Sequence, residues 1–116
     1  MPTYVVLYKF TDQGRKKIKS TVRRATEIRR DNERRGFTVI GTWWTQGQYD
    51  LITAVDAPNE AAMMAGLANI AAAGNVSSEC LRAYSQRQMM QILQSASRRP
   101  AARKRPAARK TARRRR

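Results

Sequence analysis

Runs of β-branched and aromatic residues alternate along this chain with longer stretches whose apolar residues recur every three or four positions. The short runs predict four strands, at residues 3–10, 37–44, 49–55 and 76–84. The longer stretches predict three helices, at about residues 12–35, 60–73 and 86–97. This order, β-α-β-β-α-β-α, is typical of an α+β, ferredoxin-like βαββαβ fold with an extra C-terminal helix. In such a fold an antiparallel sheet carries its helices on one face.

The ends of the predicted helices carry residues that favour capping. Thr11 suits the N-cap of the first helix, Gly36 suits its C-terminal end, and Ser85 suits the N-cap of the last helix. Residues 20–22 are weak helix formers, so the first helix can break or kink there. Pro58 suits the first turn of the second helix. Helical spacing predicts that the buried stripe of this second helix consists of Ala61, Met64, Leu67, Ala68 and Ala71.

The first strand is apolar on both of its faces. Its alternating positions are Thr3, Val5, Leu7 and Lys9 on one face and Tyr4, Val6, Tyr8 and Phe10 on the other. A sheet with one face in water would alternate more clearly between apolar and polar residues. Because helices cover only one face, we expect a second copy on the other, giving a homodimer that forms a dimeric α/β barrel. The strands at 37–44 and 49–55 are expected in the middle of that sheet.

A β-hairpin is predicted around the segment 43–50, where Gly47 supplies a positive φ. In one interpretation, Tyr49 and Asp50 lie in a pocket where the carboxylate acts as a base. The walls of that pocket would be Tyr4, Tyr8, Trp43, Trp44 and Arg82. In the other interpretation, which turn chemistry favours, the roles are local. Gly47 then forms the turn, Asp50 accepts backbone N–H groups and the aromatic residues pack.

Positive charge is concentrated at the C-terminal end of the chain. The net charge is +16, and residues 98–116 hold 11 Lys or Arg residues and no acid. A hexapeptide, Arg-Pro-Ala-Ala-Arg-Lys, occurs twice in succession at residues 99–104 and 105–110. Regular prolines and low apolar content predict a disordered polybasic tail at 98–116 after a folded domain at 1–97.

This tail is expected to bind nucleic acid through its phosphates, without strong sequence specificity, because it has no aromatic residue to stack on bases. The basic residues concerned are Arg98, Arg99, Arg103, Lys104, Arg105, Arg109, Lys110, Arg113, Arg114, Arg115 and Arg116. The alternatives are a solubility tail or a by-product of a GC-rich genome. The basic face of the first helix has two similar interpretations, a solvated surface or a second phosphate-contacting surface.

The composition excludes several kinds of chemistry. The chain has no histidine, which removes histidine-based catalysis and metal ligation. Cys80 is its one cysteine, so no intrachain disulfide forms and a cysteine nucleophile would have no histidine base. Nucleotide-binding and zinc-protease motifs are absent, so neither a cofactor nor a metal is expected. No signal peptide or membrane span is evident, which predicts a cytoplasmic protein, associated with the nucleoid if the tail binds DNA.

Three blocks of the sequence resemble the GYD domain family of small bacterial proteins. They are TYVVLYKFTDQG at Thr3–Gly14, WTQGQYD at Trp44–Asp50, and GNVSSECLRAYS at Gly74–Ser85. The family motif corresponds to Gly47, Tyr49 and Asp50. The resemblance implies the architecture of a dimeric α/β barrel but implies no reaction. This chain lacks the proline that family members often carry near Thr21, and the basic tail is not part of the family pattern.

These observations favour a non-enzymatic homodimer whose basic tail binds nucleic acid. The first alternative is a small-molecule-binding or cofactor-free enzymatic α/β barrel with a pocket near Tyr49 and Asp50. The second is a structural dimerisation module that recruits an acidic partner. The sequence indicates no substrate for the enzymatic alternative.

Overall fold

The computed structural model describes residues 1–97, and the predicted tail at 98–116 lies outside the described residues. The described elements follow the predicted order, with one helix divided. They are β1 (Thr3–Phe10), α1 (Asp12–Lys16), a 3₁₀ turn (Ile18–Ser20), α2 (Thr21–Arg34), β2 (Thr38–Trp44), β3 (Leu51–Asp56), α3 (Glu60–Ala73), β4 (Val76–Ala83) and α4 (Gln86–Ser97). The prediction of an α+β, ferredoxin-like fold is confirmed.

The four strands form one antiparallel sheet in the order β2-β3-β1-β4. β1 and β3 are therefore central, and the prediction that both hairpin strands lie in the middle is wrong for β2, which is an edge strand. The register shifts between Val39 and Gly41, so Ile40 has no partner of its own in the β2–β3 ladder. Such a β-bulge bends the edge strand and increases its local twist.

The core lies between one face of the sheet and the helices. Tyr4, Val6 and Tyr8 are the buried residues of β1, and Val6 is only 1% exposed. The other residues of the buried apolar cluster are Phe37, Val39, Val55, Ala57 and Met63. The alternate positions of β1 face away from this core and are half-buried or exposed. Within residues 1–83, β1 therefore has one apolar face in the core and a second apolar face that is less buried.

The first predicted helix is divided into two by a break at Lys17. The backbone of Lys17 has φ −104° and ψ 19°, and a 3₁₀ turn follows it. The break therefore begins three residues before the predicted weak segment 20–22. The N–H and hydroxyl of Ser20 both donate to the Lys17 carbonyl, at 3.0 and 2.9 Å. These local bonds compete with α-helical pairing. At the other end, the prediction for Gly36 is confirmed by its φ of +91°.

The face of α3 that packs on the sheet differs from the predicted stripe. Met63 is buried, and Leu67 and Ile70 pack against the core, whereas Met64 is 65% exposed. α3 is apolar on nearly every side, so its periodicity does not select a face. The helix begins after Asn59, whose side chain accepts the Ala62 N–H at 2.8 Å. The prediction that Pro58 lies in the first turn is wrong, because Pro58 precedes this N-cap.

Residues 1–83 form one compact unit, and a second unit begins at Tyr84. Within the second unit, Ser85 caps α4 as predicted. Its hydroxyl accepts the Gln88 N–H at 3.1 Å, and the Gln88 side chain accepts the Ser85 N–H at 2.8 Å. This reciprocal pair is a capping box. Helical spacing places Met89, Ile92 and Leu93 on one face of α4. Within residues 1–97, no helix is long and apolar enough to cross a membrane.

Candidate functional site

Asp50 joins the start of β3 to the end of β1. Its Oδ2 accepts the Phe10 N–H at 2.9 Å, and its own N–H donates to the Tyr8 carbonyl at 2.8 Å. The Thr45 N–H donates to the Asp50 carbonyl at 3.0 Å, which closes the hairpin. Asp50 therefore makes the backbone contacts that the local interpretation of the hairpin describes.

Tyr49 lies beside one charged residue of β1 and one of β4. Its hydroxyl donates to Glu79 Oε1 at 2.7 Å, and the Lys9 Nζ lies 5.6 Å from its ring centroid. The hydrogen bond to Glu79 is the main cause of a raised pKa for the Tyr49 hydroxyl. The side chain is thus held as a neutral donor, and it does not act as a base near neutral pH. Sequence reasoning missed Lys9 and Glu79, which only the register of β1 and β4 brings together.

Gly47 is the turn residue of this corner. Its φ is +105°, a conformation that L side chains rarely adopt, and a Cβ built on it would have no heavy atom within 4 Å. Its role is therefore conformational and does not depend on close packing. Thr45 supports the same turn, because its hydroxyl donates to the Tyr49 carbonyl at 2.6 Å.

The residues predicted to wall a pocket are not assembled around Tyr49 and Asp50. The Arg82 guanidinium lies 5.6 Å from the ring centroid of buried Tyr4, and it donates to the Thr3 carbonyl at 3.1 Å. The ring of Trp43 covers Gly41, whereas the Trp44 indole N–H donates to the Thr21 hydroxyl at 3.1 Å. Of the five predicted wall residues, Tyr8 alone lines a cavity, which lies between the sheet and the helices α2 and α3.

A cavity of about 120 Å³ lies between the sheet and the helices α2 and α3. Its lining includes Val6 and Tyr8 of β1, residues of α3, and Arg24 and Arg29 of α2. Asp50 and Tyr49 do not line it. No local sequence pattern indicates this cavity, because it depends on how closely two helices approach the sheet. Within the described part of the chain, no group of three or more His, Cys, Asp or Glu residues is placed to hold a metal.

The face of the sheet that points away from α2 and α3 is apolar at its centre. Strand register places Val5 and Leu7 beside Ala54, Ile52 and Leu81 on this face. Leu81 is 43% exposed, and Trp43 of the edge strand is 53% exposed. We call this surface, formed by Val5, Leu7, Trp43, Ile52, Ala54 and Leu81, the open face.

The surface of α1, the 3₁₀ turn and α2 is strongly basic. Residues 12–35 include ten Lys or Arg and four Asp or Glu residues. Three ion pairs lie along α2, namely Arg23–Glu27, Arg29–Glu33 and Arg34–Asp31. These pairs are exposed to solvent and contribute little to stability. The excess of basic residues leaves a positively charged helical surface.

These features define a small ferredoxin-like domain with an apolar open face and a charged hairpin corner. The chain belongs to the GYD domain family, whose model matches residues 4–93. It is also similar to a protein from Thermus thermophilus named glutamine synthetase and cystathionine beta-lyase binding protein. The two are 30% identical over 84 residues, which cover 72% of this chain and 88% of the relative. No solved structure matches the chain.

Replacing Asp50 with alanine is expected to lower the free energy of unfolding by about 1–2 kcal/mol. The substitution leaves the partly buried Phe10 N–H without its acceptor. Asp50→Asn keeps an acceptor oxygen and should cost about half as much. Urea denaturation of both variants measures the difference. Equal stability of Asp50→Ala and the wild type would contradict a structural role for this carboxylate.

Proposed function

We propose that this chain is a non-enzymatic, homodimeric protein-binding module whose C-terminal tail also binds nucleic acid. The observation that best supports a dimer is the apolar open face. Contiguous apolar patches of this kind usually mark an interaction surface in soluble proteins. A second copy would cover the face in both chains at once, and it would supplement a core that has eight buried apolar side chains within residues 1–97.

Dimerisation can be tested on the full chain by size-exclusion chromatography with light scattering. One chain has a mass of 13.2 kDa, so the proposal requires about twice that mass at micromolar concentration. A mass of one chain under the same conditions would overturn it.

Protein binding is supported by the name of the relative from Thermus thermophilus, which describes a protein that binds two enzymes. We propose the same class of function for the present chain, namely binding to the surface of a metabolic enzyme. The basic surface of α2 fits an acidic patch on such a partner, because oppositely charged surfaces speed association and exclude wrong partners. Arg30 and Arg34 are exposed residues of this surface.

Glutamine synthetase and cystathionine beta-lyase from the source organism of this chain are the first partners to test. Binding should be measured by isothermal titration at low and high salt. The proposal expects binding by at least one enzyme and a weaker complex for the double variant Arg30→Gln/Arg34→Gln. Lys9→Gln, which changes a basic residue outside α2, is the matched control. Absence of binding by both enzymes at tens of micromolar would argue against this partner class.

Nucleic-acid binding by the tail is expected to depend steeply on salt. If about six phosphates are contacted, the logarithm of the binding constant should fall with the logarithm of salt concentration at a slope of about −5. Gel-shift assays in increasing salt measure this slope. A chain of equal length with every Lys and Arg of residues 98–116 changed to Gln should lose most of the binding. Equal binding by that variant would place the interaction elsewhere.

The alternative of a ligand pocket at Tyr49 and Asp50 has less support. Asp50 is engaged by the backbone of β1, and the Tyr49 hydroxyl is engaged by Glu79. Neither residue lines the cavity between the sheet and the helices.

A further inference from the structure

The cavity between the sheet and the helices is apolar over most of its wall. Val6, Phe37, Leu67 and Ile70 are among the residues that line it. Its volume of about 120 Å³ approaches that of engineered apolar cavities of about 150 Å³, which stay dry and bind benzene. The wall and the volume therefore suit the apolar body of a small molecule about the size of one aromatic ring.

Small residues on both helices create this space. Ala25 of α2 and Gly66 of α3 line the cavity. A Cβ added to Gly66 would lie 3.8 Å from Phe37 Cζ, which is ordinary contact, so the structure has room there. Val22 of α2 is 60% exposed and does not line the cavity, whereas Ile28 of the same helix does.

One wall of the cavity carries a pair of hydroxyl groups. Tyr8 and Thr53 both line the cavity. Burial is the main cause of a pKa of about 12 for Tyr8, so its phenol remains protonated. These hydroxyls provide a neutral polar contact within an otherwise apolar space.

One arginine of α2 lines the cavity without an ion pair to any carboxylate of residues 1–97. Arg24 lines the cavity, and its guanidinium donates to the Lys17 carbonyl at 3.0 Å and to the Ser20 hydroxyl. No ion pair of Arg24 occurs among residues 1–97, whereas Arg29 is paired with Glu33 at 3.3 Å. A guanidinium has five N–H donors, so both contacts of Arg24 leave donors for an anion.

We propose that this cavity is a binding site for a small monocarboxylate with an apolar body of about one aromatic ring. The apolar body occupies the space between Val6, Phe37 and Leu67, and the carboxylate pairs with Arg24. The planar guanidinium matches a carboxylate in geometry. The residues of the open face and of the hairpin corner do not line this cavity, so the proposal stands apart from the one concerning dimerisation.

Phenylacetate is a suitable probe, and phenylacetamide is its uncharged counterpart. Trp44 reports occupancy, because its indole is bonded to Thr21, which lines the cavity. Fluorescence titrations in a Trp43→Phe background isolate this signal. A ligand of ten heavy atoms should bind with a dissociation constant on the order of 1 mM. Amide chemical shifts from NMR should map the same titration to residues of α2, α3 and β1.

Two kinds of variant test the two parts of the site. Arg24→Gln should weaken phenylacetate binding about tenfold and leave phenylacetamide binding unchanged. Arg30→Gln, an exposed residue of α2 outside the lining, is the matched control and should change neither. Ala25→Leu fills the cavity and should abolish binding of both compounds. If Ala25→Leu fails to fold, Gly66→Ala offers a milder reduction in volume and should weaken both compounds.

Several outcomes would overturn the proposal. The first is absence of a saturable change with phenylacetate up to about 20 mM. The second is equal weakening by Arg24→Gln and Arg30→Gln, which would indicate a nonspecific effect of charge. The third is unchanged binding in a folded Ala25→Leu variant, which would place the ligand outside the cavity. None of these outcomes changes the expected mass of the dimer, so failure here is distinguishable from failure of the dimer proposal.

Discussion

Replacement of Gly14 by alanine is expected to lower the free energy of unfolding by about 3 kcal/mol. Gly14 is buried in α1, and a Cβ built on it would overlap the carbonyl oxygen of Asn75 and lie 3.0 Å from its carbonyl carbon. Because the contacted atoms belong to the backbone of Asn75, no side-chain rotation can relieve the clash. For a domain of this size, the change corresponds to a melting temperature lower by roughly 10–20 °C.

The surrounding hydrogen bonds prevent the two segments from separating easily. The Thr11 N–H donates to the Asn75 carbonyl at 3.0 Å, and its hydroxyl donates to the Gly74 carbonyl at 2.7 Å. Gln13 Nε2 adds donations to the Ala73 carbonyl at 3.0 Å and to Asn75 Oδ1 at 2.8 Å. A shift that makes room for a methyl group would lengthen several of these bonds at once.

Gly66→Ala is the matched control for Gly14→Ala. Both glycines lie within helices, and alanine improves helix propensity at both positions. At Gly66 the new methyl group would meet Phe37 at an ordinary distance of 3.8 Å. This variant should therefore be as stable as the wild type or more stable by about 0.5–1 kcal/mol. Thermal unfolding of both variants measures the contrast, and similar stability of the two would contradict the close contact between α1 and residues 73–75.

The sequence predicts most strongly the elements whose residue types favour one local structure. The run of β-branched and aromatic residues at Thr3–Phe10 places β1 correctly, whereas the burial of one of its two apolar faces follows from packing. The glycine that ends the first predicted helix likewise predicts the left-handed conformation of Gly36. Local patterns of this kind determine the order of the elements, and from it the fold class.

Other features depend on tertiary contacts that no local pattern records. α3 is apolar on nearly every side, so the choice of Met63 over Met64 as the buried residue follows from its packing on the sheet. The Tyr49–Glu79 hydrogen bond joins residues 30 positions apart and requires the register of three strands. The cavity requires Ala25 and Gly66 to lie on helices that approach the same face of the sheet. A single sequence does not contain the helix positions and the strand register on which these features depend.

A further prediction concerns the open face, where Leu81→Glu is expected to convert the proposed dimer into a monomer. Leu81 pairs with Val5 in the β1–β4 ladder and is 43% exposed in a single chain. A glutamate there can reach water in the monomer, so the fold should tolerate it. In a face-to-face dimer, both copies would bury an unpaired carboxylate, each at a cost of several kcal/mol. Association should weaken by roughly 10³-fold or more.

Met64→Glu is the matched control for this substitution. Met64 is also an exposed apolar residue, at 65%, but it lies on α3, on the helical side of the sheet. The Met64→Glu protein should remain a dimer, while Leu81→Glu should sediment as a monomer with an unchanged circular dichroism spectrum. If Met64→Glu dissociates the dimer and Leu81→Glu does not, the interface lies on the helical side of the sheet. In that case the open face would be available for a partner protein, because its apolar centre would still have to be covered.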